Sequence, residues 1–332
     1  MKAVVLDTDD RFHLTDVARP APGPGQVAVA VRYAGIQWGD VLVRRGHFPV
    51  PRPFVAGFEA AGRVVGVGPG VSEALLGRAV TALTAGGAFA EVVIASAALT
   101  FDAEGIDPRT AAAFGWATPT AYDLVHTVTR VRPGERVLVH AAAGGVGTMA
   151  AQFARAAGAG RVVGVVGDTE RAAYAARFGY DRLITRAEFA AVGEGRAQEG
   201  EAFDVVLDPV GGATRLAGLR RLAPHGRLAM YGALAGSAPV ALDGDELLMS
   251  GRSVMSYNSD LLSRTHPERL ADSARHALRA VADGHVRPDV TAEYEMADLG
   301  EAADRLARGG TYGKSILRIE PHLTEPEPDL FS

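Results

Sequence analysis

The stretch RVLVHAAAGGVGTMAAQFARAA, residues 136–157, decides how the middle of this chain folds. Its first five residues are apolar enough for a strand buried on both faces, and an alanine-rich helix is predicted from Val146 to Ala157. Between them lies a run of alanine and glycine. Backbone N–H groups of such a loop can approach a pyrophosphate, which the positive end of the following helix attracts. The pattern therefore predicts a dinucleotide-binding turn, with Ala142 where the usual motif begins with glycine.

Strands and helices alternate on the carboxyl-terminal side of this turn. Strands are predicted at residues 161–166, 182–184, 203–207, 227–231 and 253–257, with helices at 169–178 and 213–222. This alternation is typical of a doubly wound parallel sheet. On the amino-terminal side, glycine and proline separate short predicted strands at 27–32, 63–67 and 88–94. The expected fold class is α/β, with a Rossmann domain and a smaller, barrel-like, β-rich domain.

The composition excludes several classes of protein. The 332 residues suggest two domains, and the net charge of −5 disfavours a nucleic-acid binder, which needs a basic surface. The sequence has no cysteine, so disulfides, thiolate nucleophiles and cysteine-ligated zinc are excluded. No apolar run reaches the roughly 18–20 residues of a membrane span, and the apolar start at residues 1–6 is too short for a secretory signal. We expect a cytoplasmic protein that does not bind membranes.

The residues after the second strand of the predicted Rossmann domain bear on the choice of nicotinamide cofactor. An acidic residue at the end of that strand would bind the ribose hydroxyls of NAD. Asp168 follows the strand closely, but a helix N-cap is the simpler role for it. Arg171 and Arg186 are placed to pair with a 2′-phosphate, the alternative for each being a solvated surface arginine. The pattern favours NADPH.

Several separate motifs, in order along the chain, carry a resemblance to a known family. Besides the glycine-rich turn they are AGIQWGD at residues 34–40, GFEAAGRVVGVG at 57–68, TAY at 120–122, DVVLDPVGG at 204–212 and GK at 313–314. With these motifs the chain resembles the medium-chain dehydrogenase/reductase superfamily, in its zinc-independent quinone oxidoreductase branch. The similarity runs from Met1 to about Ile319.

The resemblance implies a domain organisation and a set of cofactor-binding residues. Residues 1–118 and 262–332 would form a GroES-like catalytic domain and residues 119–261 a Rossmann NADP(H)-binding domain, with the substrate where the two meet. Homodimers are usual in this branch. The expected pyrophosphate ligands are Ala143, Gly144, Gly145 and Val146. The adenosine ribose phosphate would be surrounded by Gly167, Arg171 and Arg186. The nicotinamide half would be bordered by Thr120, Tyr231, Gly232 and Ala233, and Lys314 would also reach the cofactor.

The sequence departs from the family's pattern where relatives carry their catalytic groups. Zinc-dependent members have His at the position of Phe58 and a Cys ligand near Gln37, so no zinc site is expected. Quinone oxidoreductases carry Asn in place of Gln37, whose amide can still hydrogen-bond a substrate carbonyl. Enoyl-thioester reductases use the tyrosine of Gly-x-Tyr-Pro as an acid, and here that segment is GHFP at 46–49. His47 is then either an alternative proton donor or an exposed loop histidine.

Two carboxylates lie close to these positions in the sequence. Asp40 is a candidate catalytic group because it is near Gln37, the alternatives being a helix cap or an ion pair with Arg44 at helical spacing. Glu59 is interpreted as structural, since a lone carboxylate is no metal site.

These observations predict an NADPH-dependent enzyme that transfers hydride to a quinone without zinc. Such a reaction needs the cofactor to be oriented and the negative oxygen of the acceptor to be stabilised, which Gln37 could do. Conjugate reduction of an enone or an enoyl thioester is an alternative, favoured if His47 faces the nicotinamide. Another alternative is an NADPH-binding protein with a structural or interaction role and vestigial catalysis.

Overall fold

The computed structural model describes residues 1–191, 202–236 and 240–320. Its strands are β1 (Lys2–Leu6), β2 (Phe12–Asp16), β3 (Gln26–Ile36), β4 (Phe54–Val55), β5 (Glu59–Val67), β6 (Ala79–Leu83), β7 (Val92–Ser96), β8 (Thr100–Asp102), β9 (Arg136–His140), β10 (Arg161–Val166), β11 (Arg182–Thr185), β12 (Phe203–Asp208), β13 (Leu222–Met230), β14 (Ser253–Ser256), β15 (Val290–Glu295) and β16 (Lys314–Arg318). Its α-helices are α1 (Trp38–Arg44), α2 (Pro108–Phe114), α3 (Ala117–Asp123), α4 (Gly145–Ala156), α5 (Thr169–Ala175), α6 (Arg186–Ala191), α7 (Gly212–Arg220), α8 (Gly244–Ser250), α9 (Ser259–Thr265), α10 (Pro267–Ala282) and α11 (Leu299–Ala307). Within these ranges, no helix is both long enough and apolar enough to cross a membrane.

The chain folds into two compact units. The first unit comprises Met1–Trp116 and the described residues from Val290 onward, and the second comprises the described residues between Ala117 and Asp289. The structure therefore differs from the predicted division at residues 262–289, which the sequence assigned to the catalytic domain. This segment contains α10, whose apolar face is buried in the second unit, and Ser273 on α10 donates a hydrogen bond of 2.7 Å to Asp123 on α3.

The second unit is built on a six-stranded parallel sheet. Its strand order is β11-β10-β9-β12-β13-β14, and each neighbouring pair is parallel. The central strands are apolar on both faces because helices cover both, and Leu138, Val163 and Val206 lie in the core. The predicted doubly wound sheet is confirmed, and its strand order reverses between β9 and β12.

The first unit is a mainly antiparallel β structure. Its larger sheet has the order β15-β16-β3-β5-β6-β8, with β7 also paired to β3, and a smaller sheet has the order β2-β1-β4. The long strand β3 lies at the centre, and its Val27, Val29 and Val31 point into the core. Strand β16 comes from the carboxyl-terminal segment and pairs with β3, so both segments of the first unit share one sheet. This arrangement confirms the predicted α/β class with a β-rich second component.

Candidate functional site

The glycine-rich turn joins β9 to α4 at the carboxyl edge of the parallel sheet. Ala141 takes a left-handed backbone conformation with a φ of 53°, and the N–H of Ala142 donates to the carbonyl oxygen of Val165 on β10 at 3.0 Å. Gly144 is the N-cap of α4 and offers no side chain to the helix. The first N–H groups of α4 thus have no acceptor within the helix, which is the arrangement that binds phosphate oxygens.

Close packing of α4 on this turn requires glycine at position 147. A Cβ atom on Gly147 would lie 2.5 Å from the carbonyl oxygen of Ala141 and 2.8 Å from the Cα of Ala142. Both contacts are with backbone, which cannot swing aside as a flexible side chain can. The turn is therefore a cradle of small residues beside a helix N-terminus, and its shape and polarity fit the pyrophosphate of a dinucleotide.

The three residues that the sequence predicted around the ribose phosphate lie together. Gly167 follows β10, and a Cβ atom on it would lie 2.9 Å from Nη2 of Arg186 and 3.5 Å from Cδ of Arg171. Two arginine side chains thus border a position that has no side chain of its own. Guanidinium groups bind phosphate with paired hydrogen bonds, so this position suits a phosphate group.

Asp168 is the N-cap of α5, which confirms the simpler of its two predicted roles. Its Oδ1 accepts a hydrogen bond from the N–H of Arg171 at 2.8 Å, and its carboxylate also forms an ion pair with the Arg171 guanidinium. The backbone hydrogen bond and the ion pair keep the pKa of Asp168 below its ordinary value. Because its charge is matched by Arg171, this carboxylate repels a nearby phosphate less than an unpaired one would.

A buried carboxylate connects the two loops that follow β12 and β13. Asp208 ends β12, and its Oδ1 accepts hydrogen bonds from the N–H groups of Val210 at 2.7 Å and Gly211 at 3.0 Å. Arg215 donates from Nε to the other carboxylate oxygen at 2.7 Å and from Nη2 to the carbonyl oxygen of Gly232 at 2.9 Å. The loop after β12 lies where the strand order reverses, which is where doubly wound sheets bind their ligands, and the loop after β13 is next to it.

This Asp208–Arg215 bridge holds the loop that carries three residues predicted to border the nicotinamide. Gly232 accepts from Arg215, and the N–H of its neighbour Tyr231 donates to the carbonyl oxygen of Asp208 at 3.1 Å. Ala233 continues the same loop, while the fourth predicted residue, Thr120, is buried on α3. The sequence reasoning missed the bridge. The available signal was an acidic residue at the end of a buried strand with an arginine at helical distance after it.

Gln37 and Asp40 lie at the amino end of α1 in the first unit. Gln37 is the N-cap, and its backbone N–H donates to Oδ2 of Asp40 at 2.9 Å. Asp40 is therefore not the N-cap itself but caps the helix from its first turn. The predicted alternative of an ion pair between Asp40 and Arg44 is wrong, because Arg44 pairs with Asp304 at 2.7 Å. Asp40 is buried, and in the described part of the chain its Oδ1 has no hydrogen-bond partner.

Asp40 belongs to a cluster of three buried ionisable groups. Glu59 accepts a hydrogen bond of 2.6 Å from the N–H of Trp116 and forms an ion pair with Lys314, whose ammonium is thus directed to Glu59. Burial raises the pKa of Asp40 to about 8, the negative charge of Glu59 adds to the rise, and Lys314 opposes it. Asp40 therefore retains its proton near neutral pH.

Two further residues belong to segments in which the sequence departs from the family's pattern. His47 is exposed on the loop after α1, and its backbone N–H donates to the carbonyl oxygen of Leu42 at 2.9 Å. Phe58 stands where zinc-dependent relatives have a histidine, and the centre of its ring lies 6.2 Å from that of Phe54. Across the described ranges, no group of three or more His, Cys, Asp or Glu side chains could hold a metal ion.

Two family models and several curated proteins match this chain. The model described as alcohol dehydrogenase GroES-like domain matches residues 23–104, and the model described as zinc-binding dehydrogenase matches residues 145–272. The phthioceranic/hydroxyphthioceranic acid synthase of Mycobacterium tuberculosis is 33% identical over 308 residues. The match covers 91% of this chain, which spans only 14% of the length of that synthase.

Solved structures resemble the chain over nearly its whole length. A mycobacterial protein complexed with NADPH has 30% sequence identity and a TM-score of 0.87, with 96% of this chain and 100% of that chain covered. The quinone oxidoreductase of Escherichia coli complexed with NADPH has 27% identity and a TM-score of 0.87, again with 96% and 100% covered.

Proposed function

The chain belongs to the medium-chain dehydrogenase/reductase superfamily, and we propose on this premise that it is an NADPH-dependent reductase whose hydride acceptor is a quinone. The observation that carries the proposal is the glycine cradle of α4 next to Gly167, Arg171 and Arg186, which fits a pyrophosphate and a 2′-phosphate. Two of the similar structures are complexes with NADPH, and one of these proteins is a quinone oxidoreductase.

In this proposal the second unit binds and orients the cofactor. The backbone of Ala143, Gly144, Gly145 and Val146 binds the pyrophosphate, and Arg171 and Arg186 bind the 2′-phosphate. The nicotinamide half is bordered by Thr120, Tyr231, Gly232 and Ala233. When bound, NADPH supplies the hydride. Orienting it against an acceptor at reacting distance is the main contribution that the protein makes to such a step.

The first unit contributes the groups proposed to serve the acceptor. A quinone that takes up a hydride and a proton becomes a hydroquinone, and negative charge develops on its oxygen before the proton arrives. The side-chain amide of Gln37 can donate a hydrogen bond to that oxygen. Asp40, which holds a proton near neutral pH and contacts the backbone of Gln37, is the proposed proton store. The alternative proton donor is His47, on the loop that follows α1.

Cofactor oxidation by the purified protein tests this function. The decrease of the NADPH absorbance band is followed with a set of quinones and a set of enones, and NADH is compared with NADPH. Turnover of quinones with NADPH preferred is the expected result. Binding of NADPH without turnover of any acceptor would instead favour a structural or interaction role with vestigial catalysis.

Conjugate reduction of an enone or enoyl thioester is the second candidate function. It is favoured by the similarity to one segment of an acid synthase. Turnover of enones but not of quinones would support it. In that reaction the enolate needs a proton at carbon, so an Asp40→Asn or His47→Gln variant that slows enone reduction would identify the acid.

A homodimer is proposed as the working form. Strand β14 is an edge strand of the six-stranded sheet, and unpaired edges are natural pairing sites. The preceding helix α8 exposes Leu248 by 77% and Met249 by 85%, an unusual exposure for large apolar side chains. A second copy of the chain packed on this surface would pair the edge strand and bury the two apolar side chains.

A further inference from the structure

Tyr180 lies in the turn before β11, and its hydroxyl reaches the glycine-rich turn. The hydroxyl donates to the carbonyl oxygen of Gly147 at 2.7 Å and lies 3.3 Å from the carbonyl oxygen of Ala142. Ala142 belongs to the turn itself and Gly147 to the first turn of α4. Burial raises the pKa of the Tyr180 phenol well above its ordinary value, so the hydroxyl remains a donor at every physiological pH.

Gly164 on the neighbouring strand β10 has no side chain, and this leaves the space that the ring of Tyr180 occupies. A Cβ atom on Gly164 of β10 would lie 2.8 Å from Cε1 of Tyr180, 2.7 Å from Cβ of Ala142 and 2.7 Å from Cδ2 of Leu183. The ring therefore lies directly against the backbone of β10. A glycine inside a strand commonly marks such a close approach.

The residues on both sides of Tyr180 are fixed to the same two elements. Arg155 on α4 donates from Nε to the carbonyl oxygen of Gly179 at 2.7 Å and forms an ion pair with Asp181. Asp181 exchanges two hydrogen bonds with Val162 on β10, at 2.9 Å through its N–H and at 2.7 Å through its carboxylate. The direction of the Tyr180 side chain is thus determined by α4 and β10, the elements that flank the turn.

We propose that Tyr180 is a positioning residue for the pyrophosphate of the dinucleotide. Its hydroxyl holds the carbonyl groups of Ala142 and Gly147, and each carbonyl is part of the same planar peptide group as the N–H that follows it. Fixing the peptide plane of Ala142 keeps the N–H of Ala143 directed towards the phosphate oxygens. The bond to Gly147 anchors the first turn of α4, where the N–H of Thr148 donates to the carbonyl oxygen of Gly144 at 3.0 Å. This inference rests on the proposed binding of NADPH, and it assigns a function to a residue outside the glycine-rich motif.

The Tyr180→Phe variant tests the inference because it removes one oxygen and keeps the ring. Dissociation constants are measured by calorimetry for NADPH, NADH and adenosine 2′-monophosphate. The variant is expected to bind both dinucleotides roughly three- to tenfold more weakly, as for the loss of one hydrogen bond. Adenosine 2′-monophosphate has no pyrophosphate, so its affinity is expected to be unchanged. The matched control is Tyr174→Phe, which removes a hydroxyl that donates to Asp289 in the same unit and is expected to bind like the wild type.

The possible outcomes separate this inference from the proposed function. If the wild type binds NADPH and Tyr180→Phe binds both dinucleotides equally well, the inference is overturned and the cofactor assignment stands. A lower unfolding temperature with unchanged affinity would likewise show a merely structural role. If the wild type binds neither dinucleotide, both proposals fail. Gly164→Ala, whose Cβ atom would press on both the Tyr180 ring and Ala142, is expected to weaken the binding of both dinucleotides, and a selective loss of NADPH binding would contradict the assignment.

Discussion

Arg186 and Arg171 both border Gly167, but their charges have different surroundings. The guanidinium of Arg171 is paired with Asp168, which the same helix turn holds in place. Part of the attraction that Arg171 would exert on a phosphate is therefore cancelled by this carboxylate. We expect Arg186 to contribute the larger share of the preference for NADPH over NADH.

The Arg186→Gln variant should lose affinity for NADPH by roughly ten- to hundredfold, the usual effect of losing a hydrogen bond to a charged group. Its affinity for NADH, which has no 2′-phosphate, should change by less than about threefold. Calorimetric titration with both cofactors measures this difference. Arg182→Gln, which removes an exposed arginine at the start of β11, is the control. Equal losses for the two cofactors would place Arg186 away from the 2′-phosphate.

Asp40 is expected to make the stability of the protein depend on pH. Its pKa is about 8 in the folded chain against an ordinary value of 3.8, so folding takes up a proton between about pH 4 and pH 8. This group therefore lowers the free energy of unfolding as the pH rises through that window. The Asp40→Asn variant lacks this titrating group. Its free energy of unfolding, relative to that of the wild type, should therefore increase with rising pH by at most about 1.4 kcal/mol per pH unit. Urea unfolding at pH 5, 6.5 and 8 measures the unfolding free energies of both proteins. If the two free energies changed with pH in parallel, the prediction for Asp40 would be refuted.

At the scale of elements, α8 and β14 form the surface proposed for the dimer. The Met249→Glu variant places a charge among apolar side chains that a second copy would bury, at a cost that grows with their desolvation. We expect this variant to be monomeric at concentrations where the wild type is dimeric, as measured by sedimentation velocity. Leu76→Glu is the control, since Leu76 is 47% exposed in the first unit. A monomeric wild type would contradict the proposed dimer, and a dimeric Met249→Glu would move the interface elsewhere.

At the scale of the whole molecule, one buried ion pair connects the two distant segments that form the first unit. Glu59 lies on β5, Lys314 lies on β16, and both side chains are buried. Breaking such a pair on one side leaves an uncompensated buried charge. The pair therefore penalises any structure in which β16 is not correctly inserted into the sheet.

The Lys314→Met variant should lose about 3–5 kcal/mol of unfolding free energy, because it leaves the buried Glu59 carboxylate without its ion-pair partner. The double variant Glu59→Gln/Lys314→Met should recover a substantial part of this loss. Urea unfolding measures both. The chain's other lysine provides the control, since Lys2 pairs with Asp16 on the surface and Lys2→Met should cost at most about 1 kcal/mol. A double variant as unstable as Lys314→Met would show that the lost packing, rather than the buried charge, sets the cost.

Contacts between distant residues account for the places where structure and sequence differ. The predicted strand at residues 88–94 is β7 at Val92–Ser96, because Phe89 instead donates its N–H to Ala56 and accepts from Val4. Residues 262–289 belong to the second unit because the apolar face of α10 finds its partner there. A helical or β-forming sequence pattern indicates that one face of the element will be buried. It does not indicate which surface of the protein that face packs against.

The sequence by itself determined the doubly wound sheet, the glycine-rich turn, the N-cap at Asp168 and the family of the chain. The first three depend on neighbouring residues, because backbone hydrogen bonding, helix capping and the size of a side chain act over a few positions. The family followed from the order of several short motifs along the chain. Only the tertiary structure decided that Asp40 lies beside Glu59 and Lys314, that Asp208 and Arg215 connect two loops, and that Tyr180 reaches Gly147. Those contacts join residues that are far apart along the chain or lie on different elements. They depend on strand register and on the space that residues such as Gly164 leave open, which no local pattern specifies.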